Sequence, residues 1–192
     1  MNLISQMITQ HLAGGASKQI AARLGVSEST ANSAVQIAVP LILSALARNA
    51  SQPQGAQDLH QAVASDHDGS ILDNLSGYLG NPEGGNGSGI LGHVLGDERS
   101  SVENNLAQAT GLDQGSAGSL MELVAPVVMG AVGRTQQQNN LDSGGLADYL
   151  GEQHQEQAGA GDVMGMLSSM LDSNKDGSMT DDLAKIAGGF FK

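Results

Sequence analysis

The chain contains two copies of one sequence pattern, and this repeat constrains the fold more than any other feature. Residues 20–48 align without a gap with residues 106–134, at an offset of 86 residues. Apolar positions match along both segments, so the sequence predicts two related structural units. Identical residues occupy seven aligned positions: Ala21 and Ala107, Gly25 and Gly111, Ala31 and Ala117, Ser33 and Ser119, Pro40 and Pro126, Ala45 and Ala131, and Arg48 and Arg134.

Each copy begins with a short helix that is predicted to end at a glycine. Gly25 and Gly111 follow the last apolar residues of these helices. Glycine adopts the left-handed conformation that commonly terminates a helix. Ser27 and Asp113 come two residues later and are good N-cap residues for a second helix.

The second helix of each copy is long and carries a proline near its middle. It is predicted to run to Asn49 in the first copy and to Gln136 in the second. Pro40 and Pro126 each remove one backbone hydrogen bond and should kink their helix. No segment alternates with the period of a strand. The sequence therefore predicts an all-α, multihelical bundle with an internal tandem repeat of short helix–turn–long kinked helix units.

The repeat also predicts a division of the chain into units. Residues 1–80 form the first helical unit and residues 90–152 the second. The glycine-rich and polar segments 81–89 and 153–161 are predicted to be linkers. Residues 162–192 resemble the start of a third, partial unit.

Composition and charge exclude several classes of function. The net charge is -12, which argues against nucleic acid and anionic membranes, since both need clustered Lys and Arg. The chain has no cysteine, so disulfides and thiolate metal sites are excluded. The first twelve residues lack the pattern of a secretory signal, and the longest apolar stretch, Ile37–Leu43, is too short to span a bilayer. We expect a cytoplasmic protein.

A calcium-binding loop is the most specific chemical motif in the sequence. Asp172, Asn174 and Asp176 occupy positions 1, 3 and 5 of an EF-hand pattern, and Gly177 occupies position 6. Alternate side chains of such a tight loop point toward one ion, and the glycine permits the sharp turn. The loop also lies between two segments that are predicted to be helical.

The second half of this loop is less regular. Ser178 would ligate calcium through its carbonyl, and Thr180 directly or through water. Position 12, where a bidentate Glu is expected, is Leu183, so Asp182, Asp181 or water must complete the coordination. The alternative is a solvated acidic turn that binds no metal, since the same residue types favour turns.

A helix-turn-helix is the second motif, and its surface chemistry argues against it. Residues 19–35 have the short helix, glycine turn and capped second helix of a DNA-binding motif. However, the recognition helix would carry Glu28 near its start and no basic residue before Arg48. The five histidines show no metal-ligand spacing, and Asp66–Ser70 is interpreted as a turn. No constellation predicts catalysis, so we expect the protein not to be an enzyme.

These segments resemble a known bacterial family. "LGVS" at 24–27 with "VPLILSALARNA" at 39–50, "TGLD" at 110–113 with "APVVMGAVGRT" at 125–135, and "GILGHVLG" at 89–96 are similar to the bacterial domain of unknown function 937, a YidB-like family. The resemblance implies a multihelical fold and no catalytic residues. The calcium-like loop is not part of the family pattern.

Two functional hypotheses follow, with a third ranked below them. The first is a non-enzymatic structural or interaction protein that binds Ca²⁺ through residues 172–183. The second is a self-assembling homo-oligomer without metal, because Ile186, Phe190 and Phe191 would leave an apolar face uncapped in the partial unit. The third is a DNA-binding regulator. No protein partner is identified.

Overall fold

The computed structural model describes residues 3–12 and 15–159, and the predicted all-α class is confirmed. The described residues form nine α-helices, three short 3-10 helices and turns, with no strand among them. Residues 1–154 form a compact unit of their own. The helices are α1 (Leu3–Leu12), α2 (Gly15–Leu24), α3 (Glu28–Ala50), α4 (Pro53–Ser65), α5 (Leu75–Gly80), α6 (Gly87–Leu95), α7 (Arg99–Thr110), α8 (Gln114–Asn139) and α9 (Ser143–Gly159), and the 3-10 helices are Ser70–Leu72, Pro82–Gly85 and Gly96–Glu98.

The predicted helix ends are confirmed by their backbone geometry. Gly25 has φ +69 and Gly111 has φ +73, the left-handed conformation that ends α2 and α7. Ser27 caps α3 and Asp113 caps α8, and each side chain accepts a hydrogen bond from the backbone N–H three residues further on. Local chemistry therefore sets these four boundaries.

The long helices α3 and α8 pack against each other at the centre of the unit. Helices α1, α2, α6 and α7 surround this pair and contact one or both of its members. Helix α8 is buried continuously from Leu123 to Gly133. Buried Ala, Leu, Ile, Val and Met side chains from both copies form one core. That the two copies superpose on each other stays a prediction.

Pro40 and Pro126 both lie inside long helices, as predicted, but in different surroundings. Pro126 is buried in α8, whereas Pro40 is half-buried in α3. By length and composition alone, both helices are apolar enough to cross a membrane. Within the protein, however, 56% of the most apolar window of α3 and 78% of that of α8 are buried. Core helices of soluble proteins meet the same criterion, so this is weak evidence for a membrane protein.

The two segments predicted to be linkers contain helical residues, and the predicted division of the chain into units stays a prediction. Residues 82–85 form a 3-10 helix and α6 already begins at Gly87, inside the segment 81–89. Likewise, α9 continues to Gly159 and so includes residues 153–159 of the second segment. Glycine content indicated flexibility, but Gly85 and Gly87 permit close contact with α8, as described below.

Helix α4 was not predicted from the sequence. Helix α4 begins at Pro53, and proline is favourable at the first helical position because no partner is needed for its missing N–H. Ala56, Leu59 and Val63 are buried at helical spacing. The start signal and the spacing were both available, but the segment lies outside the aligned copies.

Candidate functional site

A groove of about 700 Å³ lies beside the N-terminal half of α8. Its walls are the C-terminal end of α2, residues 82–83 and 86–88, and the first three turns of α8. Arg23, Glu83 and Ser119 contribute polar side chains, and Leu24 and Leu123 contribute apolar surface. The groove therefore offers hydrogen-bond donors and acceptors beside a small apolar area.

A network centred on Arg99 fixes one wall of this groove. Its guanidinium donates to Glu103 at 2.7 Å, to Glu122 at 2.5 Å and to the Ser88 hydroxyl at 3.0 Å. The hydrogen bond to Glu103, followed by that to Glu122, raises the pKa of Arg99 above its ordinary value. The network joins α6, α7 and α8, and the Glu122 carboxylate in the groove is already paired with Arg99.

Two charged side chains of the groove have no partner in the described part of the chain. Neither Arg23 nor Glu83 makes an ion pair or a hydrogen bond among residues 3–12 and 15–159. They are therefore the charges that a ligand would meet first. The N-terminus of α8 is not available to an anion, because the Asp113 carboxylate already accepts hydrogen bonds from the hydroxyl and backbone N–H of Ser116. These bonds lower the pKa of Asp113.

A second cavity of about 340 Å³ lies near the middle of α8. Its lining includes His67, Asp68, Tyr78 and Pro126. Burial lowers the pKa of His67, and the nearby Asp66 offsets part of this effect. The Asp68 carboxylate accepts the backbone N–H of Ser70 at 2.9 Å, which lowers the pKa of Asp68. This local bond is typical of a turn, as predicted for Asp66–Ser70.

Tyr78 links this second cavity to the proline region of α8. Its hydroxyl donates to the carbonyl of Leu123 at 3.1 Å. Burial raises the pKa of Tyr78 to about 12, and the charge of Arg23 acts in the opposite direction. The sequence did not single out Tyr78 as a functional residue. No local signal indicated its partner, which is 45 residues away in the sequence.

The predicted calcium ligands cannot be placed in this geometry. Among the described residues, no group of three or more His, Asp and Glu side chains could hold a metal ion. The predicted ligands all lie outside the described residues: Asp172, Asn174, Asp176, Ser178, Thr180, and Asp182 with its alternative Asp181.

The helix-turn-helix segment has the predicted surface. Glu28 and Ser33 are exposed on α3, whereas Ala31, Ala34 and Val35 are buried. The basic residue of α3, Arg48, lies in the last turn of this helix and donates to Glu98 at 2.7 Å. The exposed start of the recognition helix therefore presents an acidic and a hydroxyl side chain in place of basic ones.

Comparison with known proteins identifies one family. A family model described as bacterial protein of unknown function (DUF937) matches residues 6–135. No curated protein matches the chain, and no solved structure matches it. The matched residues include both aligned copies and end before the calcium-like loop.

Proposed function

We propose that this chain, which belongs to the DUF937 family, is a non-enzymatic helical interaction protein that binds calcium through residues 172–183. The observation that carries the proposal is the order of oxygen donors in the sequence. Asp172, Asn174 and Asp176 precede Gly177 at the spacing that calcium loops require. Calcium would neutralise part of a locally dense negative charge and order the residues around it.

The described residues support a binding role. The groove beside α8 holds Arg23 and Glu83, whose side chains have no ion-pair or hydrogen-bond partner among the described residues, and its other charges are occupied by the Arg99 network or by helix capping. None of the serine and threonine hydroxyls in the described ranges donates to a histidine, the pairing that activates a nucleophile. The groove is therefore better suited to hold a polar partner than to transform one.

Calorimetry tests the calcium proposal. We expect wild-type protein to release or absorb heat on titration with calcium, with a Kd on the order of 10⁻⁵ to 10⁻³ M because the position-12 Glu is missing. Asp176→Ala should abolish this heat. Asp148→Ala is the matched control, since it removes one exposed carboxylate from α9 and should leave binding unchanged. Chelator should lower the melting temperature of calcium-loaded wild type only.

Two outcomes would contradict the calcium proposal. One is the absence of heat at millimolar calcium together with a melting temperature that ignores both calcium and chelator. The other is equal loss of binding in Asp176→Ala and Asp148→Ala, which would indicate a diffuse effect of negative charge. In either case residues 172–183 would be a solvated turn.

Self-assembly is the second candidate function, and one observation favours a particular location for the interface between copies. Every described Leu, Ile, Val and Met whose side-chain burial is known is buried or half-buried, so none of these side chains contributes a fully exposed apolar surface. An apolar interface between copies would then depend on Ile186, Phe190 and Phe191. Light scattering should show a larger mass for wild type than for the double substitution F190S and F191S. Equal masses at all concentrations would refute this candidate.

DNA binding is the least supported candidate. The described residues contain five basic side chains, and Arg48, Arg99 and Arg134 are already paired with carboxylates. Only Lys18 and Arg23 remain within this part of the chain, which is too few for a phosphate-binding surface. We expect no shift of duplex DNA at physiological salt, and tight, salt-sensitive binding would overturn this reasoning.

A further inference from the structure

We propose that residues 81–86, which we name the strap, open and close over α8 at Pro126. The open strap joins the groove beside α8 and the second cavity into one continuous groove. The inference does not depend on calcium, because all residues that carry it lie between α5 and α8.

The strap is the partition between the two cavities. Pro82 and Glu83 line the groove of about 700 Å³, whereas Gly84 and Gly85 line the cavity of about 340 Å³. Both cavities also border α8, one at Leu123 and the other at Pro126. Displacement of four residues would therefore create a single groove along one side of α8.

The strap covers a defect in the helix. Pro126 has no N–H, so it cannot donate to the carbonyl of Glu122, four residues earlier. Gly87, just after the strap, lies against this carbonyl, since a Cβ at Gly87 would be 1.9 Å from the Glu122 oxygen. Gly85 lies over the proline ring, where a Cβ would be 3.0 Å from Pro126 Cγ. The glycines allow the backbone to fit the surface that the proline creates.

The strap is weakly attached. Residues 82–85 include no buried residue. In the described ranges, no hydrogen bond joins residues 82–85 to α8. A nearby hydrogen bond to α8 comes from α5, where the Tyr78 hydroxyl donates to the Leu123 carbonyl. Segments with few buried contacts and few hydrogen bonds open at much lower free energy than the core. Opening of the strap should therefore occur without global unfolding.

Both ends of the strap have backbone conformations that suit hinges. Asn81 ends α5 with φ −142 and ψ 80. Asn86 precedes α6 with φ +49 and ψ 37, a left-handed conformation, and its side chain does not cap the helix. Hinges are few residues at element ends that absorb changes in φ and ψ. Rotation at these two positions would move residues 82–85 while α5 and α6 remain in place.

Thiol labelling of the full-length protein tests the opening, because the chain has no cysteine. Leu123→Cys places a thiol beside the strap, and Val124→Cys places one at the next residue, which faces the core and is 1% exposed. We expect the thiol at 123 to react at least about tenfold faster than the thiol at 124. The labelling rate at 123 should also depend less on urea concentration than the rate at 124, because local opening exposes less surface than global unfolding.

Two glycine substitutions then act on the strap alone. A Cβ at Gly85 would be 2.6 Å from Tyr78 Cε2 and would also crowd Pro126, whereas a Cβ at Gly84 has no neighbour within 4 Å. Gly85→Ala should raise the labelling rate at 123 by roughly tenfold and leave the rate at 124 unchanged. Gly84→Ala, the matched control, should change neither rate by more than about twofold.

The same variants give the outcomes that would overturn the proposal. If the thiols at 123 and 124 react at one rate with one urea dependence, access requires global unfolding and the strap does not open separately. If Gly85→Ala accelerates both thiols equally, its effect is general destabilisation. Tyr78 provides a second readout without any thiol: in Tyr149→Phe protein, Gly85→Ala should increase quenching of the remaining tyrosine fluorescence by acrylamide. Unchanged quenching would also count against the strap.

Discussion

Gly133 lies where α8 packs closely against the loop that follows α4, and its replacement should be costly. A Cβ at this position would be 1.9 Å from the backbone oxygen of His67 and 3.3 Å from Val63 Cβ. The oxygen belongs to the backbone, so the loop and α8 must separate. Separation would also strain the hydrogen bond from Arg134 to the carbonyl of Gly69, which is 2.8 Å long.

The expected magnitude follows from two opposing effects. Alanine is favoured over glycine inside a helix by about 1 kcal/mol. Overpacking of a buried contact costs about 1–3 kcal/mol, and a rigid backbone atom places Gly133→Ala near the upper end. The net loss of unfolding free energy should be about 2 kcal/mol. For a chain of this size, that corresponds to a decrease in Tm of about 4–8 °C.

Gly92→Ala is the matched control, because Gly92 is an exposed glycine of α6 with no atom within 4 Å of an added Cβ. This variant should gain about 0.5–1 kcal/mol from helix propensity alone. Urea unfolding followed by circular dichroism should therefore separate the two variants by about 3 kcal/mol. If Gly133→Ala is as stable as Gly92→Ala, the close approach is not rigid and the packing argument fails.

Two further predictions concern ionisable groups. In Tyr149→Phe protein, absorbance titration should give Tyr78 a midpoint of about 12 in the folded state and about 10 in denaturant. Because the folded pKa is raised, the contribution of Tyr78 to the free energy of unfolding is complete below pH about 10 and is lost as the pH rises toward 12. A folded midpoint near 10 would refute burial of the hydroxyl. Arg99→Ala should lower the free energy of unfolding by about 1.5–3 kcal/mol, because it leaves two nearby glutamates without their shared partner. Arg48→Ala should lower it by at most about 1 kcal/mol, because both side chains of the Arg48–Glu98 ion pair are more than half exposed. Equal losses of unfolding free energy for Arg99→Ala and Arg48→Ala, measured by urea unfolding, would contradict this expected difference.

Helix ends could be predicted from sequence because their causes are local. The positive φ of Gly25 and Gly111 follows from the missing side chain, and the caps at Ser27 and Asp113 follow from short side chains that reach the nearest free N–H groups. Such causes act within three or four residues. The alignment of the two copies then strengthened each assignment.

The cavities could not be predicted, because they depend on contacts between distant residues. The sequence indicates that Gly85, Gly87 and Gly133 lack side chains, but not that each faces an atom of another segment. Segment 81–89 was therefore interpreted as a flexible linker, although two of its glycines, Gly85 and Gly87, lie close against α8. The same limitation applies to Tyr78, whose hydrogen-bond partner is fixed only once α8 is in place.

Pro40 and Pro126 show that an aligned residue does not determine its own surroundings. Both prolines interrupt the hydrogen bonding of a central helix. Only the surface at Pro126 lines one of the two cavities and is covered by Tyr78 and Gly85, so the strap concerns α8 and not α3. The strap and the calcium-like loop both lie outside the aligned segments 20–48 and 106–134. The residues shared by the copies therefore build the bundle, and the two proposed activities reside where the copies have no common sequence.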